Sequence, residues 1–472
     1  MAARVLLVGA ATDGPQNLPL EVSSTKAINE IFGGSYTQRF LITPTQTYAQ
    51  LDYEPVNLPT NTLNGRKNYL YAPVYSGWNL DFGPAGGDSN LTLDIDYSPY
   101  VGLQDLLYSA RWHMNNTGKS VWVARVGGEL ASVTVGEWKF EAIQAGARYN
   151  KVHITADASG ATIWGLEPNF PTNRYDTTDG EELVRLIQRD YEQGASPVVV
   201  VSSSSTPPTA GSYLCSGGED GVVDDDSVTA FFESMTLPAE VTHIVFLAEA
   251  TPAMIAQVAE YLQSPNTQPR MFFFAAPTFV SPASGWVQSM ASSLPGRLDL
   301  VGLVAGDIQT SLDLVDRRRY AVEAAAQAVV SDLGSNLTNA ATRALSFEPR
   351  LRESDLNLLR DAGFMVLYRS ISKDIAIYEG VTSSKDTTFL YSSKLVEITA
   401  IAYGYCLQFV GRTSTQGDQP AVAQELARRL TAVDYITVES VAVRVERDVM
   451  LVSITVLLPN EILEIDFQVK NN

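Results

Sequence analysis

Between residues 242 and 304 short apolar runs alternate with amphipathic ones, and no other feature restricts the fold as much. THIVFLA at 242–248, RMFFFA at 270–275 and DLVGLV at 299–304 read as buried strands, with helices at 252–263 and 284–293 between them. Parallel strands cannot be joined by tight turns, so this succession implies an α/β layer around a largely parallel sheet. Further pieces fit the same layer. Arg4–Gly9 is a short apolar strand, followed by turns that Gly14-Pro15 and Pro19 force. Ser23 or Ser24 caps a helix over 25–32 that stops at Gly33-Gly34. Residues 100–115 have helical spacing, and Ser120–Val126 is a strand closed by Gly127-Gly128. Residues 179–193 form an amphipathic helix and Pro197–Val201 a buried strand. Helices at 317–332 and 353–362 and strands at 364–369 and 374–378 complete this part.

Two stretches depart from that rhythm. Residues 44–98, rich in Asn, Pro, Gly, Tyr and Asp, read as a long, partly β insertion, with LTLDIDY at 91–97 as one strand. Residues 131–165 read as a small β unit. After the Glu379-Gly380 turn the chain becomes α+β. Helices over about 389–411 and 419–432 precede a hairpin of strands 436–445 and 448–458, and a last strand follows the Pro459-Asn460 break. In that strand Leu463, Ile465, Phe467 and Val469 share one face, and Ile462, Glu464, Asp466 and Gln468 the other. A terminal strand of this kind either closes its own sheet or adds to a neighbour's.

The chain is 472 residues long, so several domains are expected. No apolar run reaches the ~18 residues of a membrane span. MAARVLLVGAATDGP passes straight into a Gly-rich turn and reads as a first core strand, not a signal peptide. Two cysteines, Cys215 and Cys406, make no disulfide framework, which fits the cytoplasm. A net charge of −20 disfavours nucleic-acid binding, because phosphate neutralisation needs clustered cations.

Sites of chemistry are weakly marked. Asn116–Ser120 (NTGKS) ends like a phosphate-binding loop, but His113 stands where the first glycine belongs, and the segment runs from helix to strand. His113, His153 and His243 lack ligand spacing. Ser23–Lys26 fits Ser-x-x-Lys, and a helix cap explains it better. Asp224–Asp226 reads as a solvated turn. No catalytic residue, cofactor or metal is expected. Two arginine groups stand out, Arg317, Arg318 and Arg319, and further on Arg343, Arg350 and Arg352. They serve either solubility or pairing with carboxylates of a neighbouring subunit. Arg428 and Arg429 either complement the dipole of their own helix or meet an acidic partner surface.

The order of several segments resembles the contractile-tail sheath proteins of bacteriophages. They are ATDGPQNLPLEVSSTKAINEIFGG (11–34), SVWVARVGG (120–128), AGARYN (145–150), LCSGGEDG (214–221) and DLNLLRDAGFMVLYR…IAIYEGVTSSKD (355–386). The resemblance implies a multidomain α/β and α+β protein. Residues 1–130 would be an N-terminal segment carrying the 44–98 insertion, and 131–174 a β-rich insertion. Residues 175–360 would be a non-catalytic, subtilisin-like α/β domain, and 361–472 a C-terminal domain with a donated strand arm at 459–472. The usual N-terminal arm with Pro-Gly-Val-Tyr is missing. As function, the resemblance implies a structural subunit that stacks in hexameric rings around a tail tube and contracts to drive it through a host envelope. Its partners would be further copies, the tail tube protein, and baseplate and terminator proteins, with no nucleic acid or membrane. Its place would be the virion, after assembly in the host cytoplasm. Arg428 and Arg429 would face the tube. The other classes weighed are an α/β hydrolase with an oligomerisation domain and a surface or adhesin module.

Overall fold

Short apolar runs buried on both faces suit the middle of a parallel sheet, and here they gather into one. The computed structural model describes residues 5–33, 37–42, 48–51, 55–57, 69–71, 78–81, 91–97, 104–166, 170–264, 268–276, 299–305, 307–309, 317–330, 337–342, 344, 346–348, 351–370, 374–384, 389–410, 418–433, 437–446, 449–458 and 461–470. The main sheet has eight strands: β1 Val5–Gly9, β2 Leu20–Val22, β3 Val121–Arg125, β4 His243–Glu249, β5 Met271–Ala275, β6 Val301–Ala305, β7 Phe364–Arg369 and β8 Ile375–Ile377. Their order is β2-β3-β1-β4-β5-β6-β7-β8. Neighbours from β3 to β7 are parallel, while β2 and β8 pair antiparallel at the edges.

Helices cover both faces. On one lie α1 Thr25–Phe32, α2 Gln104–Thr117 and, further along the chain, Tyr320–Val330, with Phe32, Leu106 and Ala325 in the shared core. The alanines Ala321, Ala324, Ala325 and Ala328 let the 320–330 helix lie close to the sheet. On the other face Asp225–Ser234, Pro252–Gln263 and Glu353–Asp361 bury Phe231, Val258 and Leu359 against Phe246, Phe272 and Phe274. Each such side chain contributes roughly 1.5–3 kcal/mol on burial. The layer is therefore doubly wound.

The sheet crosses the boundaries expected from sequence. The intervals 1–130, 175–360 and 361–472 all lend it strands, and β1 and β3, from the first, lie inside it. The second β unit is also larger than 131–174. Leu130–Val135, Trp138–Ala145 and Val198–Ser202 form one of its sheets. Asn173–Asp176, Gly160–Trp164, His153–Asp157 and Gly211–Leu214 form the other. The helix Gly180–Glu192 turns Leu183 and Ile187 into the core of this unit, beside Phe140 and Ile154, and not onto the parallel sheet. The unit therefore runs from about residue 130 to 216. The earlier insertion begins at Thr37, with two three-stranded sheets among its described residues.

Two local readings also change. Asp224 is a helix cap and not part of a solvated turn: its Oδ1 accepts from Ser227 N at 2.9 Å and starts the 225–234 helix. The helix expected from residue 317 begins at Tyr320. Arg317–Arg319 instead form an edge strand paired with Asp307–Gln309, whose other side holds Ser346–Glu348. Three cations would oppose the positive end of a helix, which favours the later start. The helix expected at 284–293, Arg343, Arg350 and the Pro459-Asn460 break lie outside the described residues.

The C-terminal unit packs the helices Phe389–Leu407 and Gln419–Thr431 on a sheet of β9 Thr437–Glu446, β10 Val449–Leu458 and β11 Glu461–Lys470, with β10 in the middle. Its core holds Ala402, Leu426, Val452, Ile454 and Val456. The 389–407 helix serves two cores, since Val396 joins that of the main sheet and Ile398 that of the C-terminal unit. Near its start, Ser393 Oγ lies 3.0 Å from His243 Nε2 and Ser392 Oγ donates to Asp299 O at 2.6 Å.

Candidate functional site

Four loops meet at the carboxyl ends of β1 and β3, the end at which doubly wound sheets bind their ligands. They span 10–17, 126–129, 145–150 and 217–222. Arg125, the last residue of β3, is fully buried among them. Its Nη1 donates to Ala145 O at 2.8 Å and Gly14 O at 3.2 Å, and its Nη2 to Asp220 O at 3.4 Å. The fixed fork of a guanidinium can tie three segments in this way. Beside it Arg148 Nη2 stands 2.7 Å from Asp13 Oδ2. The Tyr149 hydroxyl is 3.2 Å from Asp13 Oδ1 and 3.3 Å from Gln144 Oε1, and the latter also accepts from Gly14 N at 3.1 Å.

Backbone groups are tied as closely. Ala147 N donates to Asp220 Oδ1 at 2.8 Å. Asn150 bonds both backbone groups of Gly218, at 2.7 and 2.8 Å. Gln16 Nε2 donates to the carbonyls of Gly127 and Gly128 at 2.7 and 2.9 Å. The loops approach so closely that side chains are excluded at the contact. Gly221 has φ +85°, and a Cβ there would lie 2.4 Å from the Gly127 carbonyl carbon.

The electrostatics are those of a clamp. Burial pushes the Asp13 carboxyl up, and the Arg148 guanidinium opposes that shift. Burial lowers the Arg125 pKa, against the pull of Asp13 and Asp220. Burial drives the Tyr149 phenol up to about 12, so it stays protonated. These groups bind one another and hold loops from distant parts of the chain together, while the Arg125 Nε has no hydrogen-bond partner among the described residues. A polar cavity of about 650 Å³ adjoins them, lined in part by Asp13, Lys26, Asn29, Arg148, Tyr149 and Phe170. Among the described residues no group of three His, Cys, Asp or Glu is placed to hold a metal ion.

The residues singled out from sequence are scattered around the fold. His113 is buried, and its imidazole is lowered to about 4 by burial, then by Lys119. His153 stacks on Trp164 at 4.1 Å. His243 sits between Thr242 Oγ1 at 2.8 Å and Ser393. Cys215 and Cys406 are buried free thiols, both raised to about 12 by burial. Asn116–Ser120 lies at the C-terminal end of α2, where Gly118 N donates to Met114 O at 2.8 Å. Carbonyls point outward at that end, the wrong polarity for phosphate. Ser24 caps α1, its Oγ accepting from Ala27 N at 3.1 Å.

Arg428 donates twice to Glu425, both contacts at 2.7 Å. Arg429 bonds the same carboxylate at 3.0 Å and lies 4.4 Å from the Tyr405 ring centroid. These arginines hold Glu425 down at about 2. The terminal strand is not loose in the single chain. β11 pairs antiparallel with β10 over ten residues, from Val449↔Lys470 to Leu458↔Glu461. Ile465 and Val469 are buried, Phe467 is half-buried, and Leu463 pairs with Val456.

Sequence reasoning missed the Arg125 cluster as a site. Its parts are the glycine-bearing segments 11–34, 120–128, 145–150 and 214–221, met separately along the chain. An arginine ending the apolar run VWVA was the available signal, since a buried charge needs partners.

No protein-family model matches the sequence, and no curated protein matches it. Two solved structures share its fold from end to end. A sheath tail protein from Listeria innocua superposes with a TM-score of 0.59 at 14% identity, covering 99% of this chain and 95% of its own. A sheath tail protein from Desulfitobacterium hafniense does so with a TM-score of 0.54 at 12% identity, covering 100% and 97%. The mixed α/β architecture, with its several sheets, is thus a sheath-like fold.

Proposed function

We propose that this chain is the structural subunit of a contractile tail sheath, in a phage or a related injection particle. The observation that carries this reading is fold similarity over nearly the whole of both chains, from the parallel sheet to the terminal strand. Subunits stack as hexameric rings around a tube in an extended state and contract to a lower-energy packing. The stored energy of assembly drives the tube through the host envelope. The partners are further copies, the tube protein, and baseplate and terminator proteins. The place is the tail of a virion assembled in host cytoplasm. The parallel layer is the subtilisin-like part of such a subunit and has a mechanical role, not an enzymatic one. An α/β hydrolase would converge a nucleophile, base and orienter at the carboxyl end of the sheet, where Arg125, Asp13, Arg148 and Tyr149 instead bind one another.

Strand exchange links the copies. β11 lies at the edge of its sheet and follows the Pro459-Asn460 break, so the register it makes at home can be remade on the β10 of a neighbour. Arg428 and Arg429, in the last turn of the 419–431 helix, face the tube. The test is microscopy and sedimentation of the full chain beside a chain ending at Leu458. The full chain should form rings or tubes, and the shortened one a folded species that does not polymerise. A full chain that stays monomeric with tube protein present would overturn the sheath reading. Tubes from the shortened chain would overturn strand exchange alone. Reversing the charge of Arg428 and Arg429 should lower co-sedimentation with the tube, and unchanged co-sedimentation would remove them from that face.

A further inference from the structure

At the rim of the Arg125 cluster, Glu129 and Glu219 stand directly opposite one another. Each backbone N–H donates to the carbonyl of the other at 3.1 Å, forming an isolated antiparallel bridge. Both side chains are exposed, and neither forms an ion pair among the described residues. Like charges at opposed strand positions repel, so the pair breaks a local rule of sheet design. Such breaches are expected where a surface has work to do besides folding.

Exposed apolar side chains stand on the same segments. Leu18, Leu130 and Val222 are 49%, 36% and 58% exposed, and they make up three of the six large apolar side chains that stand out in this way among the described residues. All three sit on the segments that meet here. Leu130 follows Glu129 in sequence. A Cβ on Gly127 would lie 2.7 Å from Val222 O. Gln16, two residues before Leu18, bonds the Gly127 and Gly128 carbonyls. Two exposed carboxylates with apolar neighbours fit a segment that brings guanidinium groups together with aliphatic stems. Two carboxylates alone are few ligands for a hard cation.

We infer that this patch receives the Arg317–Arg319 strand of a second copy. Charge complementarity selects that segment, as it is the one run of three consecutive cationic residues in a chain of net charge −20. It also lies at the edge of its small sheet among the described residues. A guanidinium fork can bridge two carboxylates where a lysine ammonium acts as a point charge. The contact rests on the polymerising reading above and specifies which two surfaces of that assembly meet.

The experiment is a charge swap in the full chain, read by sedimentation across protein concentration. Glu129→Lys with Glu219→Lys should raise the concentration needed for assembly roughly tenfold or more, as should Arg317→Glu with Arg319→Glu. Combining all four changes should restore assembly. Glu219→Gln supplies a control for folding: the thermal midpoint of the monomer should stay level or rise, because repulsion is removed, while assembly weakens. Assembly of either reversed pair at the parent concentration would overturn the contact. So would failure of the combined variant to recover when circular dichroism shows it folded. Assembly of the parent chain that requires a divalent cation and stops on chelation would assign the carboxylates to a metal instead. A parent chain that never assembles would overturn the sheath reading itself.

Discussion

Replacing Arg125 with methionine keeps most of the side-chain volume and removes the guanidinium that ties three loops. Three buried or partly buried carbonyls, on Ala145, Gly14 and Asp220, then lose a charged donor. An acceptor left unsatisfied in the interior costs about 1–3 kcal/mol. Only the Ala145 contact, at 2.8 Å, is short, so it counts in full and the other two in part. The mutation also relieves the cost of burying a cation, which depresses the Arg125 pKa. Removing one member of a buried charged network usually costs ~3–5 kcal/mol net, and we expect a loss near the lower end. With a urea slope of about 3 kcal/mol/M, the midpoint would fall by about 1 M. Arg125→Lys should lose about half as much, because one ammonium reaches one or two of the carbonyls. Urea titration followed by tryptophan fluorescence and circular dichroism measures this, with the first transition taken as the readout in a chain of several units. A methionine variant whose first midpoint matched the parent would refute the idea that Arg125 holds the loops together.

Two other perturbations probe single features. The imidazole of buried His113 titrates at about 4 in the folded chain and near 6.5 when unfolded, so the unfolded state binds more protons between those values. Stability present above pH 6.5 should therefore drain away as pH falls toward 4, by ~3 kcal/mol at most, and His113→Leu should flatten that part of the profile. An identical pH dependence of the unfolding midpoint in both proteins would count against this assignment. Gly221→Ala and Gly136→Ala both force an L side chain to positive φ, at +85° and +64°. The first also drives a Cβ to 2.4 Å from backbone, while the second meets nothing within 4 Å. Thermal melts should show about 1 kcal/mol lost at Gly136 and well over that at Gly221, and equal losses would mean the loop contact is softer than described.

The sequence carried the local order well because its signals were local. The run of alternating elements at 242–275, a cap at Ser23 or Ser24 and the C-terminal hairpin each rest on residues a few positions apart, and each stands close to where it was read, with Ser24 as the cap. Partner choice was less legible. The 180–192 helix has one apolar stripe, which would suit either core, and nothing in its own residues says that Leu183 and Ile187 meet the β unit. The helix after Asp224 was hidden because three aspartates look like solvated surface, although carboxylates also favour a helix start. The Arg125 cluster was hidden by distance along the chain. Gln16 bonds Gly127 across 111 residues, and Arg148 pairs with Asp13 from the far side of a long insertion. Periodicity has no access to such contacts.

The 389–407 helix, with its side chains shared between two cores, has a mechanical consequence. Its 19 residues span about 28 Å as a single rod, with no loop inside it to stretch. A pull on β11 passes through ten ladder pairs into β10 and from that sheet into the rod. Through Val396 and the Ser393–His243 contact it then reaches the central strands. Tension applied at the C-terminal strand is thus delivered to the parallel sheet. In the assembly proposed above, a displacement of the terminal strand of one copy would be carried along this route into its central sheet.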